Sequence, residues 1–156
     1  KTHDNLIFRM KNDQWNEVLQ TNLNSNYQII KSLLPNMLSN KYGKIIGISS
    51  IVGSTGNPGQ ANYVASKSGL VGLYKSIALE VAKRNINVNI ISPGFISTSM
   101  TDNLNEDQKK NYLSRIPMMR FGNPIDVANL VFLTTFCEFS TAYFEDCFWF
   151  FNKADK

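Results

Sequence analysis

Cysteine and histidine are nearly missing: two cysteines, Cys137 and Cys147, and the single His3 in 156 residues. Such a set offers neither a metal-ligand spacing nor a disulfide framework, so no metal site is expected and a reducing compartment is the default. His3 stands near the chain start and is expected to be solvated rather than catalytic. No uninterrupted apolar run approaches the roughly twenty residues a membrane helix needs, and Phe148-Trp149-Phe150-Phe151 is far too short. The polar stretch from Lys1 to Asn16 carries no apolar run with a cleavage site, so no targeting segment is visible. Concentrated charge is also lacking. The net charge of +4 comes from scattered lysines and arginines, with local pairs at Lys83-Arg84 and Lys109-Lys110. That pattern speaks against nucleic-acid binding, which wants a basic stripe. It leaves room for an acidic protein partner touching a small patch. A G-x-G-x-x-G run is absent. Residues 53–59 (GSTGNPG) are glycine-rich, but the spacing is wrong and no acidic ribose binder follows, so they are read as a flexible substrate-side loop.

What remains is an ordinary globular composition, 43% apolar and 18% charged, long enough for one domain with a core. Trp15, Val18, Leu19, Leu23, Ile29, Ile30, Leu33, Leu34 and Leu38 recur at helical spacing from Asn12-Asp13 to about Ser39. Lys44 to Ser49 (KIIGIS) reads as a buried parallel strand, and Ile51 to Gly59 as a loop. A second helix runs from about Ala61 to Lys83, apolar or small nearly all round, which predicts burial on more than one side. A second strand covers Ile86 to Ser92, followed at once by Pro93-Gly94. A polar helical stretch follows from Asp102 to Ser114. Asn123-Pro124 then supplies an N-cap and first position for a helix reaching about Phe136. Alternating helices and strands predict the α/β class: the C-terminal portion of a doubly wound, Rossmann-type parallel sheet in a single domain. Residues 1–135 form that domain, and 136–156 are an atypical tail of unassigned structure.

Within this frame one spacing carries chemistry. Ser50 ends the first strand, Tyr63 lies on the first turn of the next helix, and Lys67 follows four residues later on the same face. Both strand end and helix start belong to the carboxyl edge of a parallel sheet, where ligands bind. An ammonium beside a phenol favours the phenolate, so Lys67 is expected to pull Tyr63 below its ordinary value of about 10. That would make a proton donor and acceptor for carbonyl and alcohol chemistry. Taken alone, a tyrosine four residues before a lysine is an aromatic with a snorkelling neighbour; the added Ser50 changes its meaning. Ser49 competes for the serine role but should point to the opposite face.

Ser50, Tyr63-Val64-Ala65-Ser66-Lys67, the upstream helical Asn22 and Pro93-Gly94 together resemble the short-chain dehydrogenase/reductases. The wording around Asp4-Asn5-Leu6, Thr21-Asn22-Leu23, Gly59-Gln60-Ala61-Asn62-Tyr63 and Pro93-Gly94-Phe95-Ile96 is similar to the 3-oxoacyl-[acyl-carrier-protein] reductase branch. The resemblance implies NADPH-dependent reduction of a 3-oxoacyl thioester on acyl carrier protein to the 3-hydroxyacyl form, in type II fatty-acid synthesis. Tyr63 would protonate the ketone oxygen, and Ser50 would orient it. Lys67 would lower the Tyr63 pKa and bind the nicotinamide ribose. Asn22 would interrupt its helix and hold a relay water. Pro93, Gly94, Ile96 and Thr98 would wrap the nicotinamide end. Lys41 and Arg84 match basic positions that contact the carrier protein near the active-site mouth. The two long helices suggest a homotetramer, in bacterial cytoplasm or a plastid-type organelle. The family's opening strand, glycine-rich turn and Asn-Asn-Ala-Gly stretch are not matched. The chain is therefore expected to be an N-terminally truncated piece, inactive alone and with an open hydrophobic edge on Lys44 to Ser49. From about Thr134 the family's closing strand and Gly-Gly are not matched either. Two alternatives stay open: another short-chain dehydrogenase acting on a small alcohol or ketone, and a noncatalytic piece that binds full-length subunits.

Overall fold

A computed structural model of the chain describes residues 1–98, 101 and 105–136. The tail after Phe136, with Cys137 and Cys147, lies outside the described residues, as does part of the stretch predicted as a helix from Asp102. The first helical span is not one helix. Helix α1 (Asn12–Leu19) passes into a π-turn (Gln20–Asn24) and then α2 (Ser25–Asn40). Asn22 sits in the middle of the π-turn, so the interruption the resemblance implied is present. Lys41 ends α2 in the left-handed conformation, with φ 49°.

Strand β1 (Gly43–Ile48) and strand β2 (Ile86–Ile91) pair in parallel, Gly43 against Ile86 through Ile48 against Ile91. Each ends one residue earlier than the sequence suggests, although the Ser49 N–H still donates to the Ile91 carbonyl at 2.7 Å. Among the described residues, β1 pairs with no other strand, leaving its far edge open as expected. The crossover begins with a short helix α3 (Val52–Thr55) where a loop was expected. The Gly53 N–H donates to the Ser50 carbonyl, and a Cβ on Gly53 would lie 3.2 Å from the Ser68 nitrogen, so α3 is pressed onto the next helix.

That helix, α4 (Ala61–Val81), buries Asn62, Ser66, Leu70, Tyr74, Ile77 and Val81, a single stripe at spacings of three and four. Leu79 stays 85% exposed, so within one chain α4 is buried on one side and not on two. The stripe meets Ile45, Val88 and Ile90 of the sheet, with Ile30 from α2 closing the core. Gly47 admits this contact: a Cβ there would stand 2.5 Å from the Tyr74 ring. Helix α5 (Glu106–Leu113) starts at Asn105, which exchanges a capping box with Gln108. Helix α6 (Pro124–Phe136) begins where Asn123-Pro124 predicts. At its start the Asp126 carboxylate reaches back to accept the Asn123 N–H at 2.8 Å.

Candidate functional site

The two strands end side by side, and their loops are tied together by the Ile51 N–H on the Pro93 carbonyl at 3.0 Å. Ser50 follows β1 at this edge. Ser49 is buried and faces the other way, its hydroxyl donating to the Lys67 carbonyl at 2.9 Å, so it is excluded from the cleft. Ser50 instead faces the Tyr63 phenol, where its hydroxyl pulls the phenol's pKa down. Lys67 stands over the face of the Tyr63 ring, its Nζ 5.6 Å from the centroid, and donates to the Ile48 carbonyl at 2.8 Å. The sequence-predicted serine, tyrosine and lysine thus share one crevice.

Their electrostatics differ from expectation. Burial pushes the Tyr63 phenol up from its ordinary value, against the opposing pull of the Ser50 hydrogen bond, and the Asp4 carboxylate adds a smaller upward push. Burial likewise lowers the Lys67 ammonium. The predicted lowering of Tyr63 by Lys67 is not what the structure shows. Desolvation favours the neutral form of each group. The lysine also lies over the ring face, with its proton on a backbone carbonyl.

Asn22 is brought in beneath α4. Its Oδ1 accepts from the Lys1 nitrogen at 2.8 Å, and its Nδ2 donates to the Lys1 carbonyl at 2.8 Å and to the Ser66 hydroxyl at 3.2 Å. Its own carbonyl accepts the Asn26 side-chain amide at 2.9 Å. His3 is not merely solvated: its Nε2 pairs with Glu17 at 2.7 Å, and Asn62 donates to its carbonyl.

Beyond Pro93 and Gly94, Ile96 bridges to Gly122, with the Ser97 N–H on the Gly122 carbonyl and the Gly122 N–H on the Phe95 carbonyl. The Thr98 N–H is held by the Thr101 hydroxyl. A cavity of about 390 Å³ opens along this edge. Its walls are mainly apolar, including Ile51, Val52, Phe95, Tyr112 and Ile116, with Arg115 and Arg120 beside them. The loop predicted as substrate-side contributes Thr55, Gly56 and Asn57 to that lining. Ser50 and Tyr63 are not lining residues; Ser50 adjoins the cavity through its chain neighbour Ile51.

Lys41 and Arg84 do come together, since Asn85 beside Arg84 donates to the Lys41 carbonyl at 3.1 Å. They do not flank the mouth of this chain's crevice. Both immediately precede the strands, whereas Ser50 and Pro93 follow them. Strands of six residues at ~3.3 Å each put roughly 20 Å between the two edges. Sequence reasoning also passed over Ser66, Asn26 and Tyr74, whose polar atoms link the π-turn and α2 to α4, and Asn62, which ties α4 to α1 and the leading segment. Their side chains sit inward at helical spacing. Yet asparagine and serine on a helix read as surface or cap residues until burial is known.

A family model described as enoyl-(acyl carrier protein) reductase matches residues 2–135. The chain is 51% identical over 130 residues to the 3-oxoacyl-[acyl-carrier-protein] reductase of Haemophilus influenzae, covering 83% of this chain and 54% of that protein. It is 50% identical over 130 residues to the Staphylococcus aureus (strain Mu50) protein of that name, covering 83% and 53%. The corresponding protein of Buchnera aphidicola from Acyrthosiphon pisum is 51% identical over 128 residues, covering 82% and 52%. The chain spans about half the length of the curated relatives it matches.

Proposed function

This chain belongs to the short-chain dehydrogenase/reductase family, and we propose that it forms the catalytic part of a 3-oxoacyl-[acyl-carrier-protein] reductase. The reaction is NADPH-dependent reduction of the 3-oxoacyl thioester to the 3-hydroxyacyl form. One observation carries the reading: the Ser50 hydroxyl and the Tyr63 phenol interact at the carboxyl edge of the sheet, with Lys67 against the same ring.

The crevice fits the nicotinamide end of such a cofactor. A Cβ on Gly94 would meet nothing within 4 Å, so the backbone there borders open space. Lys67 and Tyr63 would hold the ribose, and the backbone of Pro93, Gly94 and Ile96 with the Thr98 side chain would hold the nicotinamide end. When bound, the reduced nicotinamide supplies the hydride. Ser50 orients the ketone by donating to its oxygen, and the protonated Tyr63 phenol delivers the proton there. Two donors on the atom that gains negative charge stabilise the developing alkoxide. Lys67 returns a proton to Tyr63, and a water on the Asn22 carbonyl would connect Lys67 to solvent.

The carrier protein is acidic in this reading, and Lys41 with Arg84 offers it a basic patch. Because that patch lies at the far edge, it serves a crevice on another copy. Exposed Ile29 and Leu33 on α2 and Leu79 on α4 suit a helix-to-helix homotetramer. Antiparallel helices there would carry one copy's patch toward another copy's Tyr63. A bacterial cytoplasmic or plastid-type setting goes with the proposal.

The test is loss of NADPH absorbance with a 3-oxoacyl-carrier thioester, using the purified chain alone and mixed with the complete Haemophilus influenzae relative. Tyr63→Phe should reduce turnover by about 10²–10⁴-fold, the usual worth of a positioned acid, while cofactor binding persists. Undiminished turnover in that variant removes the mechanism. Absence of turnover and of NADPH binding, with capture of the complete relative, favours the noncatalytic subunit-binding alternative.

A further inference from the structure

Asn62 and Ser66 are both fully buried, at 0% exposure, in the first two turns of α4. They flank Tyr63 and hold its backbone from opposite ends. The Asn62 Oδ1 accepts the Tyr63 N–H at 2.7 Å. The Ser66 hydroxyl donates to the Tyr63 carbonyl at 2.7 Å. Neither contact is incidental. The Tyr63 N–H is one of the first-turn donors that a helix leaves without an intrahelical partner, and Gln60 at the N-cap makes no side-chain bond to serve it.

Both side chains are in turn anchored outside α4. The Asn62 Nδ2 donates to the His3 carbonyl at 3.0 Å and to the Gln14 carbonyl at 3.4 Å. The Ser66 hydroxyl accepts from the Asn22 Nδ2 at 3.2 Å. The Tyr63 backbone is therefore fixed to α1, the π-turn and the segment before them. Its hydroxyl partner Ser50 is carried by the β1–α3 junction, a separate part of the fold. The gap between phenol and serine is set where these two parts meet.

We infer that Ser66 and Asn62 are positioning residues for Tyr63. Asn22 acts on the phenol through Ser66, as a strut between the π-turn and the first turns of α4. This rests on the reductase reading for its catalytic meaning, but not for its geometry. A buried polar group that is fully paired specifies one arrangement, and one left half-paired is costly. Removing the Ser66 hydroxyl takes one bond from the Tyr63 carbonyl and one of its two acceptors from the Asn22 amide together.

The experiment is a titration of Tyr63 in the purified chain carrying ¹³Cζ-tyrosine, with Tyr63→Phe identifying the resonance. The charged or polar groups facing the phenol are Ser50 from the β1–α3 junction, Asp4 from the leading segment and Lys67 from α4. Ser50→Ala calibrates the loss of the serine hydrogen bond as an upward shift of the midpoint. Ser66→Ala should shift the midpoint upward too, because the phenol drifts off Ser50. Ser66→Thr, which keeps the hydroxyl, should retain the wild-type midpoint. Adding Asn22→Ala to Ser66→Ala should change it no further. If Ser66→Ala does not fold, Ser66→Cys, a weaker donor of similar size, carries the same expectation. An unmoved midpoint in the folded Ser66 variant, beside a shifted one in Ser50→Ala, overturns the proposal and leaves Ser66 a purely structural residue. Turnover plays no part in this readout, so the reductase reading can fail while the strut stands, and the reverse.

Discussion

Replacing Gly47 by alanine tests how the core reaches the site. The added Cβ would stand 2.5 Å from two Tyr74 ring atoms and 3.0 Å from a third, inside any permitted carbon–carbon contact. The ring is the middle of a buried side chain, 5% exposed, so it cannot swing aside cheaply. Overpacking of this kind costs about 1–3 kcal/mol. Displacing the ring also breaks the Tyr74 hydroxyl's bond to the Asn26 Oδ1, 3.0 Å long, worth about 1 kcal/mol net. Gly47→Ala should therefore lose about 2–4 kcal/mol of a total that for a domain is about 5–15. The same substitution at Gly72 is the control. It lies within α4 and a Cβ there meets nothing within 4 Å, so alanine should gain about 0.5–1 kcal/mol through the helix backbone alone. Urea unfolding of the purified chain, read by far-UV circular dichroism at several concentrations, separates these effects from association. A Gly47→Ala midpoint equal to wild type would refute the reasoning. So would a loss matched by Gly72→Ala.

Met119 holds φ 51°, a left-handed conformation that costs an unbranched L-residue about 1–2 kcal/mol; Met119→Gly should raise the urea midpoint, and a lowered one contradicts the strain. Stability should also bend at alkaline pH. Lys67 is lowered on folding, so the unfolded chain binds the extra proton, and stability rises with pH until the ordinary lysine value near 10.4 is passed. Tyr63 and Tyr74 are raised by burial, so the folded chain keeps their protons longer and stability falls above about pH 10. Midpoints between pH 7 and 11 should lose the rising limb in Lys67→Met and part of the falling limb in Tyr74→Phe. Reversing Lys41 and Arg84 to glutamate should weaken carrier-thioester use at low salt and leave a small soluble thioester unaffected. Equal losses on both substrates count against the patch.

The strands, the main helices and the Ser50–Tyr63–Lys67 crevice were legible because each rests on periodicity or fixed spacing. Isoleucine runs bounded by turns mark β1 and β2, and four residues on a helix must share a face. What escaped depends on three-dimensional burial. The π-turn at Gln20–Asn24 is invisible in apolar spacing, since one inserted residue shifts the phase no more than an irregular core does. Ser66 and Asn62 are small polar residues on a helix whose burial only the packing of α1 reveals. The Lys41–Arg84 placement failed differently. Residue order within a βαβ unit puts everything before a strand at one edge and everything after it at the other. Strand order alone therefore locates the patch away from Ser50.

On the proposed reading, the raised phenol favours reduction over oxidation at neutral pH. Ketone reduction needs a protonated Tyr63, and burial keeps it protonated through neutral pH even though Ser50 pulls the other way. Oxidation of the 3-hydroxyacyl product needs the phenolate, whose share falls tenfold for every unit that the pH lies below the pKa. The oxidation rate should thus climb through the alkaline range while reduction holds level at neutral pH and declines later. Asp4 offers a handle that leaves the crevice intact. Its carboxylate pushes Tyr63 upward from the leading segment, and its Oδ2 accepts from the Gln60 side chain at 2.9 Å. Asp4→Asn removes the charge at nearly constant shape. It should move the alkaline rise of oxidation to lower pH without changing the plateau of reduction. A rise that stays in place, or moves upward, would mean that some other group limits the oxidative rate and that Tyr63's burial does not set it.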